Sequence, residues 1–449
     1  MKIKHIHIGS YKNLKNFDCE FSDSNISAFI GNNGSGKSNL LEAISQVFST
    51  AKNVAQRGNS SVIYYLDIKD CHIHYESNGI EYVLNYDETE ASITHDGKEL
   101  SLTNMDKALP ETIMLYYAGE TRRQRDVAQS SIDKAYENKL KKIDNAGFPG
   151  FKSIDIYSAE DLPALLLVAA IYKGSYYNQL MSLLGCKEIS LKTTLSLKNP
   201  SGKGDGKAAD TYWGARGFVK SFLDELRRYV SKTIDMHDLY YMVFDDVEPF
   251  MKTSSNEGEL FAKFKALSNA GYLLSLTLEL QRNDGDSFSW EELSEGEKQL
   301  SLLLLLTSFT SQNHCLYLFD EFDAYLHLNW QRDFSQMLRD LKIQGHVIFT
   351  THSPSSISKL KSDELFIMKN GTVEYPGSET YNRALDEIML EQMDVSMHSP
   401  EIEKLYGIFK QCIADRNRSG AEKVMQELKV LLDESDPLFD RMKLNLRRI

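Results

Sequence analysis

The sequence predicts an α/β protein, and three features of its apolar pattern lead to that prediction. A glycine-rich loop, 31–38, lies between a short apolar run at 28–30 and an amphipathic stretch at 39–48. Two later apolar runs, 316–319 and 347–349, each end in polar residues, which is typical of buried strands whose carboxyl ends carry a site. Buried strands therefore alternate with helices, and we expect the polar residues at the strand ends to be functional.

The composition is that of a globular protein with room for two or three domains. The chain has 449 residues, 26% of them charged, and its net charge of −13 does not suggest a surface made for nucleic acid. Its five cysteines are scattered, so neither a disulfide framework nor a zinc site is indicated. No signal peptide opens the sequence, and the apolar stretches at 162–172 and 300–306 are too short to span a bilayer. We expect a cytoplasmic protein with no membrane partner.

Residues 1–123 are predicted to form an N-terminal lobe rich in short strands. Turn signals such as Ser77-Asn78-Gly79 and Asp96-Gly97 separate its apolar runs. The glycine-rich loop and its helix interrupt this series after the third strand. The predicted strands are 3–8, 17–21, 25–30, 62–68, 72–76, 80–85 and 114–117.

The next segment, 124–280, is predicted to be a mainly helical insertion that forms a lid. Ser158 and Asp161 mark the start of a helix over 162–172. A second stretch, 218–232, has apolar residues at helical spacing and is predicted to be a helix as well.

Two further segments complete the predicted organisation. Residues 281–379 return to alternating helix and strand and are expected to form a C-terminal lobe. The tail, 380–449, is predicted to be helical, with Ser399 as N-cap and Pro400 in the first turn of a helix. The apolar residues on one face of that helix are Ile402, Leu405, Tyr406, Phe409 and Ile413. We expect this face to pack against its own domain, and docking of a partner is the alternative.

The loop 31–38 fits the pattern G-x-x-x-x-G-K-[ST] at every constrained position, which predicts a phosphate-binding loop. Its glycines let successive backbone N–H groups point at phosphate oxygens, helped by the N-terminus of the following helix. Lys37 is expected to reach the β- and γ-phosphates of ATP, and Ser38 to hold Mg²⁺. The residues predicted to bind the nucleotide here are Asn32, Asn33, Gly34, Ser35, Gly36, Lys37, Ser38 and Asn39.

Three later motifs supply the rest of the predicted site. Asp320, at the end of an apolar run, can bind Mg²⁺ through water beside Ser38, and its neighbour Glu321 can polarise the attacking water as general base. His352, after a second apolar run, can contact the γ-phosphate and so sense its presence. The remaining motif begins a helix at Ser294, and a helix N-terminus is again a site for an anion.

Four short stretches resemble, in this order, the Walker A, signature, Walker B and His-switch motifs of ABC-type ATPases: GNNGSGKS, LSEGEKQL, LYLFDE and TTHSP. More narrowly, the chain resembles the SMC/Rad50/RecF/OLD-like branch, which includes ATPases of prokaryotic anti-phage systems of the Septu and PARIS types. The resemblance implies an ABC-type head with an antiparallel β subdomain, a RecA-like parallel sheet, a helical insertion and a helical C-terminal tail. By the same resemblance, 323–327 is the D-loop.

The resemblance also implies a site shared between two copies of the chain. In this family the signature motif completes the nucleotide site of the opposite subunit. Ser294, Gly296 and Glu297 are therefore expected to act in trans on ATP that Lys37 of a second copy holds. The implied partner is the chain itself, in a head-to-head dimer or a higher homo-oligomer.

Two predictions fall between the lobe and the insertion. The glutamine-bearing loop of the family has two candidates, Glu120 and Gln124, and the sequence does not decide between them. The basic run 122–125 is either a solvated surface or a contact for DNA.

Two hypotheses describe what the ATPase drives. The 255 residues between Ser38 and Ser294 are too few for the long coiled-coil arms of Rad50 or SMC proteins, and no nuclease motif is visible. We therefore favour an ATP-gated sensor or scaffold that controls a separately encoded effector nuclease in anti-phage defence. The alternative is a RecF-like DNA repair clamp that binds DNA directly, and the acidic net charge counts mildly against it.

Overall fold

The computed structural model describes residues 1–57, 67–88, 90–118, 129–143, 145, 147, 149–200, 208–236, 238–376, 399–433 and 436–446. The chain divides into two compact units, Met1–Asn382 and Arg383–Ile449, and the second begins close to the predicted start of the tail at 380. The predictions for Glu120, Gln124 and the basic run 122–125 lie outside the described residues, as does most of the predicted strand 62–68.

The secondary structure alternates between strands and helices through most of the first unit. The helices are α1 (Lys37–Arg57), α2 (Leu102–Ala108), α3 (Gln129–Lys142), α4 (Leu162–Tyr172), α5 (Tyr177–Leu184), α6 (Gly217–Leu226), α7 (Glu257–Asn269), α8 (Glu295–Phe309), α9 (Leu328–Asp340), α10 (Pro354–Ile357), α11 (Pro400–Ala414), α12 (Arg418–Leu431) and α13 (Pro437–Leu446). The strands are β1 (Lys2–Tyr11), β2 (Leu14–Glu20), β3 (Ile26–Ile30), β4 (Lys69–Ser77), β5 (Ile80–Asp87), β6 (Glu90–His95), β7 (Lys98–Glu99), β8 (Ile113–Tyr117), β9 (Ile154–Tyr157), β10 (Cys186–Ile189), β11 (Thr193–Lys198), β12 (Lys232–Met236), β13 (Leu239–Phe244), β14 (Leu273–Thr277), β15 (Glu279–Arg282), β16 (Ser287–Ser289), β17 (Leu316–Asp320), β18 (His346–Thr351), β19 (Leu365–Lys369) and β20 (Thr372–Glu374).

A seven-stranded sheet forms the centre of the first unit, in the order β20-β19-β3-β18-β17-β8-β9. All of its strands except β20 pair in parallel. Every residue of β3, β17 and β18 is buried, as expected for continuous apolar runs in a parallel sheet. Because β18 lies between β3 and β17, the carboxyl ends of these three strands are neighbours. The polar residues that follow each strand are therefore brought to one edge of the sheet.

A six-stranded antiparallel sheet, in the order β2-β1-β4-β5-β6-β7, packs onto the first through helix α1. Ile6 and Ile8 of β1 point inward from this sheet. They share one core cluster with Leu40 and Ile44 of α1 and with Leu318 of the parallel sheet. An antiparallel subdomain beside a parallel sheet is the predicted fold class, and the structure confirms it.

The described part of 124–280 contains strands, which the sequence did not predict, as well as the predicted helices. Besides α3 to α7 it contains β9, which extends the parallel sheet, and a four-stranded antiparallel sheet in the order β12-β13-β11-β14. The helix predicted over 218–232 ends at Leu226, and β12 begins at Lys232. Strand β13 shows why these strands were not predicted. Its residues LYYMVF alternate between half-buried and buried positions with a period of two, as in a strand with one face on the core. Because all six residues are apolar, the sequence itself does not display this alternation.

Helix α4 has the predicted bounds, Leu162–Tyr172, and the predicted start is confirmed. Ser158 and Asp161 form a reciprocal capping box around a single 3₁₀ turn, and Pro163 occupies the first turn of α4. Almost every residue of α4 is buried, so this helix lies within the first unit and not on its surface. No helix of the described ranges is long and apolar enough to cross a membrane.

In its described residues, 399–433 and 436–446, the second unit has three helices, α11 to α13, with a core of their own. Phe409 of α11 is fully buried and packs in one cluster with Leu428 of α12 and Met442 of α13. The face of α11 predicted to be apolar supplies Ile402 and Phe409 to this core. It packs within its own unit, as expected.

Candidate nucleotide-binding site

The glycine-rich loop connects the carboxyl end of β3 to the first turn of α1, which begins at Lys37. Gly31 has a φ of 154°, and a β-carbon at this position would lie 2.3 Å from the carbonyl oxygen of Met368. Gly36 has a φ of 111°, and a β-carbon there would meet the side chain of Leu14 at 2.9 Å. Both positions require glycine for backbone and for space, so the loop curls as a phosphate cradle must.

Two polar groups inside the loop suit an anion. Ser35 Oγ is buried and has no hydrogen-bond partner in the part of the chain that the structure describes. Lys37 Nζ donates to the carbonyl oxygens of Gly31, at 2.8 Å, and Asn32, at 3.3 Å. Burial of the ammonium group lowers the pKa of Lys37 to about 8, although the charges of nearby carboxylates oppose this. A phosphate oxygen would partner the hydroxyl and offset the desolvation of the cation, so the residues present fit a nucleotide.

Asn13 holds the loop from outside, which the sequence did not reveal. It lies in the turn between β1 and β2, and its Nδ2 donates to the carbonyl oxygen of Gly34 at 2.8 Å. Its Oδ1 accepts a 2.7 Å hydrogen bond from Asn39 Nδ2. The antiparallel subdomain therefore fixes both the tip of the loop and the first turn of α1. The turn itself is tight, with a left-handed φ of 50° at Lys12, and this conformation cannot be read from the sequence.

Asp320 ends β17 beside the first turn of α1, where the predicted Mg²⁺ site would be. Its side chain is 1% exposed, and its Oδ1 accepts a hydrogen bond from Thr350 Oγ1 at 2.5 Å. Burial raises the pKa of Asp320, while hydrogen bonds from Thr350 and Ser38 lower it. The Ser38 hydroxyl thus lies close enough to the Asp320 carboxylate to favour its charged form. Hard oxygen donors of this kind are the ligands that Mg²⁺ prefers, and Mg²⁺ usually keeps waters in its remaining positions.

Glu321 follows Asp320 in an unusual backbone conformation. Its φ is +50°, in the left-handed region that a non-glycine residue adopts at a cost of about 1–2 kcal/mol. Its backbone N–H donates to Thr350 Oγ1 at 2.9 Å. The chain turns sharply here, so successive carboxylates leave the strand in different directions. Such a turn allows one carboxylate to bind a metal while the next addresses water.

His352 lies one residue beyond β18, on the same edge of the sheet. Partial burial lowers the pKa of His352, and the positive charge of Lys37 lowers it further. The imidazole and the ammonium group are therefore close enough to interact. A neutral imidazole near pH 7 can donate one ring N–H to a phosphate oxygen.

The turn after Glu321 is hydrogen-bonded to the end of β18, the strand that precedes His352, and the sequence did not predict this network. Asp323 is buried, and its Oδ2 accepts hydrogen bonds from the hydroxyl groups of Thr351 and Ser356. Ser353 Oγ donates to Gln331 Oε1 at 2.6 Å. The predicted D-loop, 323–327, is thus joined through Asp323 to the end of β18 and to α10.

The motif at 293–299 forms the start of helix α8. Ser294 is the N-cap, and its Oγ accepts from the backbone N–H of Glu297 at 3.3 Å, while Glu297 Oε2 accepts from the backbone N–H of Ser294 at 2.8 Å. Ser294 is exposed, and Glu297 is half-buried. In the described part of the chain, no hydrogen bond or ion pair joins Ser294, Gly296 or Glu297 to residues 31–39 of the same copy.

Helix α8 also touches the predicted D-loop directly. A β-carbon at Gly296 would lie 2.5 Å from the carbonyl oxygen of Tyr325. One turn later, Gln299 is buried, its Oε1 accepts from the backbone N–H of Tyr325 at 3.2 Å, and its Nε2 donates to the hydroxyl of Tyr116 in β8 at 2.9 Å. Gly296 is therefore needed for packing within its own copy, whatever else its N–H does.

An antiparallel subdomain joined through α1 to a parallel sheet, with the glycine-rich loop and the acidic strand end at one edge, defines an ABC-type ATPase head of the SMC/RecF-like branch. The chain belongs to the family described as the RecF/RecN/SMC N terminal domain, whose model matches residues 2–373.

Three individual proteins show the range of the likeness. The Retron Ec83 probable ATPase of Escherichia coli is 24% identical over 455 residues, which cover 89% of this chain and 78% of that protein. The SMC head domain from Thermotoga maritima is 14% identical over 83% of this chain and 97% of its own, with a TM-score of 0.37. The recombination mediator RecF, solved with ATP, is 17% identical over 83% of this chain and 98% of its own, with a TM-score of 0.35.

Proposed function

We propose that the chain binds ATP with Mg²⁺ and hydrolyses it. Lys37 and the backbone of 32–36 would hold the phosphates, Ser38 and Asp320 would hold Mg²⁺, and the bound ion would supply charge neutralisation for phosphoryl transfer. Glu321 orients and deprotonates the attacking water, and His352 contacts the γ-phosphate. The observation that carries this proposal is one edge of the sheet, where the buried Lys37 and Asp320 and the left-handed turn at Glu321 come together at the ends of their elements.

We propose further that the site is complete only in a dimer. The N-terminus of α8 is a ready site for an anion, because its first N–H groups have no partners within the helix. Ser294 caps this end and is exposed, and it makes no hydrogen bond to the phosphate loop of its own copy among the described contacts. In a head-to-head dimer the signature residues would meet ATP held by Lys37 of the other copy.

At the level of the cell, we propose a sensor or scaffold that controls a separately encoded effector nuclease in anti-phage defence. The relative named Retron Ec83 probable ATPase, 24% identical to this chain, supports this choice over a clamp that binds DNA directly. ATP binding would close the head dimer and hydrolysis would open it, and these two states would hold or release the effector. Purification with the product of the neighbouring gene tests the proposal, and a neighbour without a nuclease or toxin fold would argue against it. DNA binding by the chain alone that weakens with salt would instead favour the clamp.

Complementation between two inactive variants tests the shared site. Lys37→Ala removes nucleotide binding from one copy, and Ser294→Arg blocks the signature surface of the other. Each variant alone should be inactive. Co-expressed copies that pair at random give about half mixed dimers with one intact site of two, so activity should return to at most about a quarter of the wild-type rate. If mixed dimers form and stay inactive, the site is not shared in this way.

A further inference from the structure

A threonine that the proposed mechanism does not use contacts both acidic residues of the site, the side chain of Asp320 and the backbone of Glu321. Thr350 is the fifth residue of β18 and is fully buried. The parallel register pairs Phe319 with Phe349, so the next residues along, Asp320 and Thr350, lie side by side at the ends of neighbouring strands. The register of the sheet thus brings a hydroxyl group 30 positions away in sequence to the metal-binding carboxylate.

The single Thr350 hydroxyl makes two contacts of different kinds. It donates its hydrogen to Asp320 Oδ1 at 2.5 Å, and its oxygen accepts the backbone N–H of Glu321 at 2.9 Å. A hydroxyl has one hydrogen and two lone pairs, so both contacts can exist at once. The first fixes a side chain, and the second fixes the backbone turn from which the next side chain departs.

We infer that Thr350 is a positioning residue for the proposed hydrolysis, because its hydroxyl holds the metal-binding carboxylate and the turn of the general base in one fixed relation. The inference rests on the proposed function and names no new group that touches ATP. Glu321 occupies its left-handed φ of +50° at an energetic cost, and the bond from its N–H to Thr350 helps to offset that cost. Without the hydroxyl, the turn can relax and carry the base away from the line of attack.

Thr350→Val and Thr350→Ser separate the hydroxyl from the shape of the side chain. Valine keeps the volume and loses both contacts, whereas serine keeps both contacts and loses a methyl group. Thr307→Val is the matched control, because Thr307 is equally buried but its hydroxyl bonds only to carbonyl oxygens of its own helix, Leu303 and Leu304. All three variants should be compared at matched folded fraction by circular dichroism.

Steady-state ATP hydrolysis should fall in Thr350→Val by about 10- to 100-fold in kcat, with KM for ATP within about threefold of wild type. The Mg²⁺ concentration for half-maximal rate should rise, and Thr350→Ser should recover kcat to within about threefold. In a Glu321→Gln background, Thr350→Val should cause little additional loss of turnover, because the base it positions is already absent. Thr307→Val should leave all of these values unchanged.

Unchanged kcat and Mg²⁺ dependence in folded Thr350→Val would overturn the inference and leave the proposed function intact. Equal losses in Thr350→Val and Thr307→Val would overturn it as well, because they would reflect packing alone. If the wild-type chain hydrolyses no ATP, the proposed function fails instead. The inference is then tested by the Mg²⁺ dependence of binding of a non-hydrolysable ATP analogue, and a half-saturating Mg²⁺ concentration in Thr350→Val equal to that of wild type overturns it.

Discussion

Glu321 combines an unusual backbone conformation with the proposed role of general base. Its left-handed backbone follows a buried carboxylate directly, and its N–H is anchored while its side chain stays half-exposed. Glu321→Gln keeps the shape and removes the basic oxygen. We expect ATP binding within about threefold of wild type and a turnover reduced by about 10²–10⁴-fold. Nucleotide binding and phosphate release, measured on the same preparation, check this, and turnover near the wild-type rate would exclude Glu321 as the base.

The lowered pKa of Lys37 predicts how ATP affinity depends on pH. Burial lowers the pKa of Lys37 to about 8, so the free protein loses the positive charge as the pH rises through that value. ATP affinity should be constant from pH 7 to about 8 and then fall by up to about tenfold per pH unit. Equilibrium binding of ATP across pH 7–9.5 measures this. Lys37→Arg, which stays charged, should show no such fall, and a flat wild-type profile would contradict the assignment.

At the scale of strands and helices, local patterns predicted some parts of the site and not others. The sequence alone located the parts of the site that consist of consecutive residues. These are the glycine-rich loop, the acidic end of β17 and the helix start at Ser294. The hydroxyl of Thr350 and the carboxylate of Asp323 act across strands, on partners some 30 residues away. Their roles depend on the register of a parallel sheet, which periodicity does not specify.

The strands of 124–280 were missed for a related reason. Strands β11 and β13 are only six residues long each, and LYYMVF of β13 has no polar residue to mark its outer face. So short a run cannot be told from part of a helix until its pairing partner is known. The pairing of β11 with both β13 and β14 is long-range, and it outweighs the local helical spacing.

His346 links three strands and makes their packing sensitive to pH. Its Nδ1 accepts the backbone N–H of Ile3 in β1 at 3.2 Å, so the ring proton resides on Nε2, which lies 3.0 Å from Ser27 Oγ in β3. Burial lowers the pKa of His346 to about 3, well below the value near 6.5 of an unfolded chain. The unfolded state therefore binds the proton first, and stability falls as the pH drops below about 6.5, by up to about 1.4 kcal/mol per unit.

His346→Gln removes the titrating group, so its unfolding midpoint in urea should depend less on pH between 5 and 7 than that of wild type. The expected difference in the change of unfolding free energy is about 2 kcal/mol between pH 6.5 and pH 5. His95→Gln, at the partly exposed end of β6, is the control and should follow wild type. Parallel pH profiles for wild type and His346→Gln would show that His346 titrates in the folded protein as it does in the unfolded chain.

For the whole molecule, the division into two units predicts that a core substitution in the second unit unfolds that unit and leaves ATP binding by the first unit intact. Phe409 is fully buried among the helices of the second unit, whereas its neighbour Ile408 is 45% exposed on the same helix. Phe409→Ala should cost about 3–5 kcal/mol, which is enough to unfold three short helices, while Ile408→Ala should cost little. Limited proteolysis should then cleave Phe409→Ala rapidly after residue 399, and ATP affinity should stay within about twofold of wild type in both variants. If Phe409→Ala also lost ATP binding, nucleotide binding in the first unit would depend on the fold of the second, and the prediction would be wrong.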